Sequence, residues 1–245
     1  MIARLRPEPG QTILELAAGA GDTGFEVAER LGEEGLLISS EFAPAMLDVA
    51  RRRGEQRGVR NVDYRLIDAQ QIELADDSVD GVLCRLGYMF MPDRPAALSE
   101  TRRVLRPGGR VALAVWGAPQ RNPFFSIIAM TLVERGHMPP PDPNGPGLFS
   151  MGSPERIGAL LDDAGFDDIQ IEELPVRFAF ETVDEYIELI ADAAGPLTIV
   201  LRGLTEAERE EVRAQVERAC AGFAAEGGCE LPGLGLGAAA TAPSA

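Results

Sequence analysis

Between Ile13 and Gly24 an apolar run, Ile13-Leu14-Glu15-Leu16, gives way to Ala17-Ala18-Gly19-Ala20-Gly21 and then to Asp22-Thr23-Gly24, where a helical pattern begins. A strand, a glycine turn and a helix in that order open a mostly parallel α/β sheet. Gly19 and Gly21 let the backbone approach a ligand with no Cβ between, and Gly24 lets the helix lie close on the strand. Two further apolar runs end on acids: 36–40 leads into Glu41, and 62–67 into Asp68. A bare turn, one carboxylate for a ribose and another polar group for a base are the elements that hold a nucleoside.

The turn admits two ligands. One is a dinucleotide, whose pyrophosphate would sit on the helix N-terminus. The other is S-adenosylmethionine, whose methionine end carries an ammonium beside its carboxylate. Asp22, inside the turn, would face a pyrophosphate as a like charge in a partly dry site. Glu15 adds a second anion that suits an ammonium better. The competing reading is that Asp22 only caps the helix and Glu15 is solvated.

From residue 12 to about 116 strands and helices alternate, with helices expected near 22–31, 43–54 and 92–105 and later strands at 81–84 and 110–116. This pattern implies a parallel, doubly wound sheet. Ligands bind beyond the carboxyl ends of such strands, and Gly19, Glu41, Asp68 and Arg85 all fall there. Gly32 and Gly54 are placed to stop helices. The Pro-rich stretch 138–147 forbids regular structure. Residues 168–173 read as a sixth strand, extended or followed by 176–180. Two helices with capping boxes, Thr182 with Glu185 and Thr205 with Glu208, come next. The second carries Val212, Val216, Ala219, Cys220 and Phe223 at helical spacing. The segment 230–238 is either a low-complexity tail or a last strand with Pro232 at its start or on an edge.

In four places the chain resembles class I S-adenosylmethionine-dependent methyltransferases related to the ubiquinone and menaquinone biosynthesis enzymes. Glu15-Leu16-Ala17-Ala18-Gly19-Ala20-Gly21 is similar to the family's first motif, with Ala17 where Gly is commoner. Ser40-Glu41-Phe42-Ala43-Pro44-Ala45-Met46-Leu47 resembles its second strand end and following helix. Asp68-Ala69 resembles the adenine-binding turn, and Leu105-Arg106-Pro107-Gly108-Gly109-Arg110 the turn before the fifth strand. The resemblance implies a Rossmann-like, doubly wound, mostly parallel seven-stranded sheet with an antiparallel last strand. Residues 1–181 and 227–245 would form the cofactor-binding domain, and 182–226 a helical insertion near the substrate pocket.

It also implies S-adenosylmethionine as cofactor and in-line methyl transfer to a small aromatic or lipophilic acceptor. Glu41 would accept from the ribose hydroxyls, Asp68 from the adenine amine with Ala69 beside it, and Phe42 and Met46 would flank the base. Glu15, Ala17, Gly19 and Gly21 would face the methionine portion, and Arg85 its carboxylate or an acidic substrate. The loop 85–93 would line the meeting point of methyl group and acceptor, with Tyr88, Phe90, Trp116, Phe124 and Phe125 making its surroundings aromatic. Tyr88 and His137 are the candidate proton acceptors. A base is needed only when the nucleophile enters protonated. Family members usually carry helices before the first strand that lid the cofactor; only about eleven residues precede it here, so those lid helices are expected to be missing, and either the start is placed too late, or the chain is shortened, or the pocket is open.

Composition narrows the partners. A net charge of −16 opposes docking on nucleic acid and favours a small-molecule acceptor. The basic run Arg51-Arg52-Arg53 suits the end of a helix. The chain has no Lys, which removes a phosphate-loop lysine and any Schiff base, and a single His, which excludes a metal site of paired histidines. No metal is expected. Cys84, Cys220 and Cys229 have no metal spacing, and free thiols suit a cytoplasmic protein. No run is long enough for a membrane helix. Oligomeric state is left open. Two rival readings stand: an NAD(P)-dependent oxidoreductase using the same turn, and a protein that holds S-adenosylmethionine without turnover.

Overall fold

The computed structural model describes residues 1–142, 145–193 and 196–244. It divides into two compact units. The first comprises Met1–Trp116, Gly145–Glu173 and Leu236–Ala245, and the second Gly117–Asn144 and Leu174–Gly235.

In the first unit, α1 (Ile2–Leu5) precedes β1 (Thr12–Glu15), α2 (Asp22–Leu31), β2 (Leu36–Glu41), α3 (Pro44–Arg57) and β3 (Val62–Leu66). There follow β4 (Val79–Arg85), α4 (Arg94–Val104) and β5 (Leu105–Trp116). After α5 (Pro123–Glu134), which belongs to the second unit, come α6 (Pro154–Asp163) and β6 (Asp167–Phe180), whose residues from Leu174 on belong to the second unit. Strands β1 to β5 pair in parallel, with Ile13 opposite both Leu37 and Gly81, and Val82 opposite Val111. Helices on a parallel sheet cover both faces, so its strands read as unbroken apolar runs. Ile13, Leu14, Val82, Leu83, Val111 and Leu113 are all buried. Helix α2 lays Phe25, Ala28 and Leu31 into a core shared with Ile13, Leu37 and Leu83.

The second unit holds α5, α7 (Val183–Ala193), α8 (Pro196–Gly203), α9 (Glu206–Cys220) and β7 (Ala224–Ala225), and the chain closes with β8 (Gly228–Thr241). The sheet order is β3-β2-β1-β4-β5-β8-β6, with the two-residue β7 paired to β8 outside that path. Gly108 and Gly109 exchange hydrogen bonds with Ala242, while the Gly117 amide donates to the Leu234 carbonyl. Numbers rise in β5 as they fall in β8, so β8 is antiparallel. Inside the second unit, Phe124 stacks on Phe178 at 3.7 Å between ring centroids and Phe180 stacks on Tyr186 at 4.6 Å. The buried Asn122 amide donates to the carbonyls of Gly117, Ala118 and Leu234, and its oxygen accepts from the Leu234 amide.

Several boundaries differ from the sequence expectation. Helix α3 runs through Gly54 to Arg57 and stops at Gly58, whose φ of 70° is left-handed. Gly54 is buried within the helix because a Cβ there would collide with the Tyr64 hydroxyl. Strand β6 is one continuous strand with Pro175 inside it, tolerated because β6 is at the sheet edge. Residues 230–238 do lie in a strand, yet Pro232 is neither at its start nor on an edge strand. Since Leu234 already faces Gly117, Pro232 falls past the end of β5 and interrupts no ladder on that side. Among the described residues, the helical stretch 182–226 contains three α-helices, not two. Thr205 and Glu208 make the full capping box, whereas Glu185 reaches the Glu181 amide and not that of Thr182. On α9 the buried stripe is Val212, Val216 and Cys220, and Ala219 faces out. In the Pro-rich stretch, Pro143 and Asn144 lie outside the described residues.

Candidate functional site

The carboxyl ends of β1 to β4 lie side by side in the first unit. The Leu16 amide donates to the Leu83 carbonyl, Ala18 to Ser40, and Ile67 to Glu41, so the three loops start from one edge. In the turn after β1, Ala17, Gly19 and Gly21 have φ of 51°, 56° and 85°. The left-handed region costs a non-glycine residue about 1–2 kcal/mol, which explains why Gly suits position 17 better than the Ala present. The two glycines serve different ends. Nothing lies within 4 Å of a Cβ placed on Gly19, so the backbone there is bare and open, whereas a Cβ on Gly21 would strike the Phe25 ring. Gly24 packs as expected: a Cβ there would meet the Glu15 carboxylate and the Leu37 side chain.

Glu41 ties this turn to the next helix. One carboxylate oxygen accepts from the Gly19 amide at 2.9 Å, and the other from the amides of Phe42 and Ala43 at 2.8 and 3.2 Å. A carboxylate offers about four lone-pair positions, so capacity for a further donor remains. Phe42 and Met46 are not core: they are 71% and 39% exposed. Asp68 accepts from the Gln70 amide at 2.9 Å and from its side chain, and Gln70 in turn accepts from the Asp93 amide at the start of α4. Ala69 is buried beside it. Arg85 is exposed at the end of β4.

The acids near the turn behave differently from the sequence expectation. Glu15 is buried, not solvated, beneath the turn. It accepts from the Gly24 amide and, at 3.3 Å, from the Ser39 hydroxyl. Loss of solvent pushes its carboxyl up to about 7, against those hydrogen bonds and the attraction of Arg85. Asp22 is bound by Arg53 at 2.7 and 2.9 Å and by Arg57 at 3.1 Å, and the Arg53 hydrogen bond holds it below the usual carboxylate range. Its charge is thus compensated, and the like-charge argument against a pyrophosphate loses force. Arg53 belongs to the basic run, so that run reaches back to the turn and does more than complement a helix end.

The two candidate proton acceptors are placed apart from open surface chemistry. Tyr88 is fully buried, its hydroxyl 2.6 Å from Thr101 Oγ1, and burial drives its ionisation far above the ordinary value. With its oxygen engaged in the core, Tyr88 is a support of the loop after β4 and not a base. We expect Tyr88→Phe to cost about 1 kcal/mol of stability, one buried hydrogen bond, and to leave ligand affinity within twofold; urea unfolding and calorimetry check both. His137 belongs to the second unit, where its amide closes α5 onto Leu132 and its Nδ1 lies 4.0 Å from Glu208. Of the expected aromatic surroundings, Phe124 and Phe125 are buried among rings of the second unit, Trp116 is half-buried, and Phe90 is 43% exposed.

Comparison with known proteins decides between the ligands that this edge admits. Residues 1–129 match the ubiE/COQ5 methyltransferase family, over half of the chain. The chain belongs to that family. Its donor is S-adenosylmethionine, and the oxidoreductase reading falls. An arsenite methyltransferase of Halobacterium salinarum is 31% identical over 163 residues, 66% of this chain and 39% of that protein. A ubiquinone/menaquinone biosynthesis C-methyltransferase of Coxiella burnetii is 27% identical over 183 residues, 71% of this chain and 73% of that protein. The chain thus spans about two-fifths of the length of the first relative and under three-quarters of the second. Among solved structures, the YcgJ protein of Bacillus subtilis superposes with a TM-score of 0.66 at 19% identity, over 100% of this chain and 97% of that one, and shows the same fold.

The residues of this ubiE/COQ5-family chain fit a nucleoside sulfonium: open backbone at Gly19, lone-pair capacity on Glu41, and exposed apolar surface at Phe42 and Met46. Sequence reasoning passed over Ser39 and Ser40, which are buried in β2 and bind the side chain and carbonyl of Glu15. Two hydroxyls in an otherwise apolar strand were a visible signal. It also passed over Gly87, where a Cβ would come within 2.6 Å of Ala17 Cβ and Cys84 Sγ; only the fold brings those loops together. Among the described residues no cluster of metal ligands occurs, and no helix is long and apolar enough to cross a membrane.

Proposed function

We propose that this chain moves the methyl group of S-adenosylmethionine onto a small, flat or lipophilic acceptor by in-line displacement. The observation that carries the reading is Glu41, held rigid between the Gly19 amide and the head of α3 with capacity for ribose hydroxyls. Bound there, the cofactor supplies a methyl group on a sulfonium, a leaving group already activated. The protein's part is orientation, which provides most of the rate for such a displacement. Gly19 would admit the methionine portion against bare backbone, and Ala17 and Gly21 would shape the same turn. Phe42 and Met46 would flank the adenine, Asp68 with Ala69 would read its amine, and Arg85 would pair with the methionine carboxylate. Glu15 would support the turn from beneath and would place negative charge under the ammonium only where it ionises, above about pH 7.

Phe90, exposed on the loop after β4, supports an apolar acceptor. The net charge of −16 argues against a polyanion. The relatives' names span arsenite and quinone precursors, so they leave the acceptor class to this chemistry. No side chain of the first unit is assigned as base, which suits a nucleophile that enters unprotonated. His137 is retained as the alternative proton acceptor. We assign acceptor choice to the helical stretch 182–226, on its place in the chain.

The test is calorimetric titration with S-adenosylmethionine, S-adenosylhomocysteine and NADH, followed by transfer of a labelled methyl group to a panel of quinols, phenols and arsenite. Binding of the first two with label in an aromatic or lipophilic product supports the proposal. Binding of NADH alone overturns it, and tight binding with no transfer to any acceptor turns it toward a protein that only holds the cofactor.

A further inference from the structure

Two of the three cysteines meet in the second unit, and neither is among the residues assigned to the cofactor. Cys220 ends α9, and a single 3-10 turn at 221–223 leads into β7. The β7–β8 hairpin then folds back, with Ala224 opposite Cys229 and Ala225 opposite Gly228. That return brings the Cys229 thiol to 3.7 Å from the Cys220 carbonyl and within hydrogen-bonding reach of the Cys220 thiol. Neither is in a disulfide. Cys220 is buried, while Cys229 is half-buried and lines an open cleft of about 330 Å³ with Ala179, Phe180 and Gly228. Four carboxylates rim that cleft, Glu181, Glu185, Glu226 and Glu230, the last paired with Arg177 at 2.9 Å, so the rim stays net acidic.

We propose that Cys220 and Cys229 form a dithiol site that reacts with small cationic or neutral disulfides and closes to an intramolecular disulfide. The Cys229 thiolate attacks one sulfur of the external disulfide, forming a mixed disulfide and expelling one small thiolate. The Cys220 thiolate then attacks the Cys229 sulfur, forming the internal bond and expelling the second. The two cysteine protons end on the two released thiols, so the protein pair is oxidised and the reagent reduced. Burial raises both thiols, Cys220 to about 12, which makes the reaction slow and starts it at the more open Cys229. The acidic rim selects the reagent by charge, since like charges lower the local concentration of an anionic disulfide. The closed bond would staple the end of α9 to the hairpin.

The full chain is treated at pH 8 with cystamine or with glutathione disulfide, quenched by acid and alkylation, and mapped as peptides without reduction. The expected product is one cross-linked peptide containing Cys220 and Cys229, with Cys84, wholly buried in β4, alkylated only after denaturation. Cystamine should react about tenfold faster than glutathione disulfide at low salt, with the gap closing as salt rises. Cys220→Ala should stop at a mixed disulfide on Cys229, and Cys229→Ser should take up no reagent. Persistent mixed disulfide in the unaltered chain, or a cross-link through Cys84, overturns the proposal. The result in the unaltered chain decides even where a variant fails to fold. Amide exchange across 221–228 should slow about tenfold on oxidation, and unchanged exchange would remove the staple.

Discussion

Glu41→Ala should weaken binding of S-adenosylhomocysteine by one to two orders of magnitude, roughly 1.5–3 kcal/mol, the worth of a charged hydrogen-bond acceptor. Two effects add. The ribose would lose its acceptor, and the turn would lose the bond that holds Gly19 at 2.9 Å against the end of β2. The amides of Phe42 and Ala43 would also lose their shared partner at the head of α3. Glu41→Gln separates these effects. Its oxygen can keep one of the backbone contacts, so the turn stays ordered while the charge is gone, and an intermediate loss is expected. Calorimetry on the three proteins, with unfolding curves to show an intact core, is the measurement. Unchanged affinity in Glu41→Ala would remove the ribose assignment.

The second large effect is a dependence of stability on pH carried by Glu15. An ordinary carboxyl near 4.5 is pushed up to about 7 by burial beneath the turn. The folded protein therefore holds a proton that the unfolded chain has lost throughout that window. The stabilisation from neutral Glu15 is complete below about 4.5 and is lost as pH rises through about 7. The interval corresponds to about 3 kcal/mol. Glu15→Gln stays neutral at every pH and can still accept from the Gly24 amide and Ser39. It should come within about 1 kcal/mol of the native chain at pH 5 and exceed it by up to about 3 kcal/mol at pH 8. Urea unfolding across pH 5–8 tests this. Parallel curves for the two proteins would mean that Glu15 is hydrated and ionised in the folded state.

Much of the cofactor edge could be read from order alone. Parallel strands buried on both faces must be continuous apolar runs, so β1, β2, β4 and β5 stand out, and the residue ending each run faces the ligand edge. Glycines, acids and Arg85 at those ends follow from position in the chain. What could not be read is which way each side chain turns and what meets it. Gly54 resembles a helix stop, but it is where α3 closes on Tyr64. Asp22 resembles a free charge in the turn, but Arg53 and Arg57, more than thirty residues on, neutralise it. Tyr88 resembles a base, but Thr101 takes its hydroxyl in the core. The amino-acid order alone determined the strands of the parallel sheet and the glycine turn, because backbone conformation and apolar periodicity are local properties, whereas the choice between the two ligands that the turn admits came from the family match over residues 1–129. Only the tertiary structure decided which charges are free, which rings are core and which thiols meet, because burial and pairing depend on residues distant in the chain.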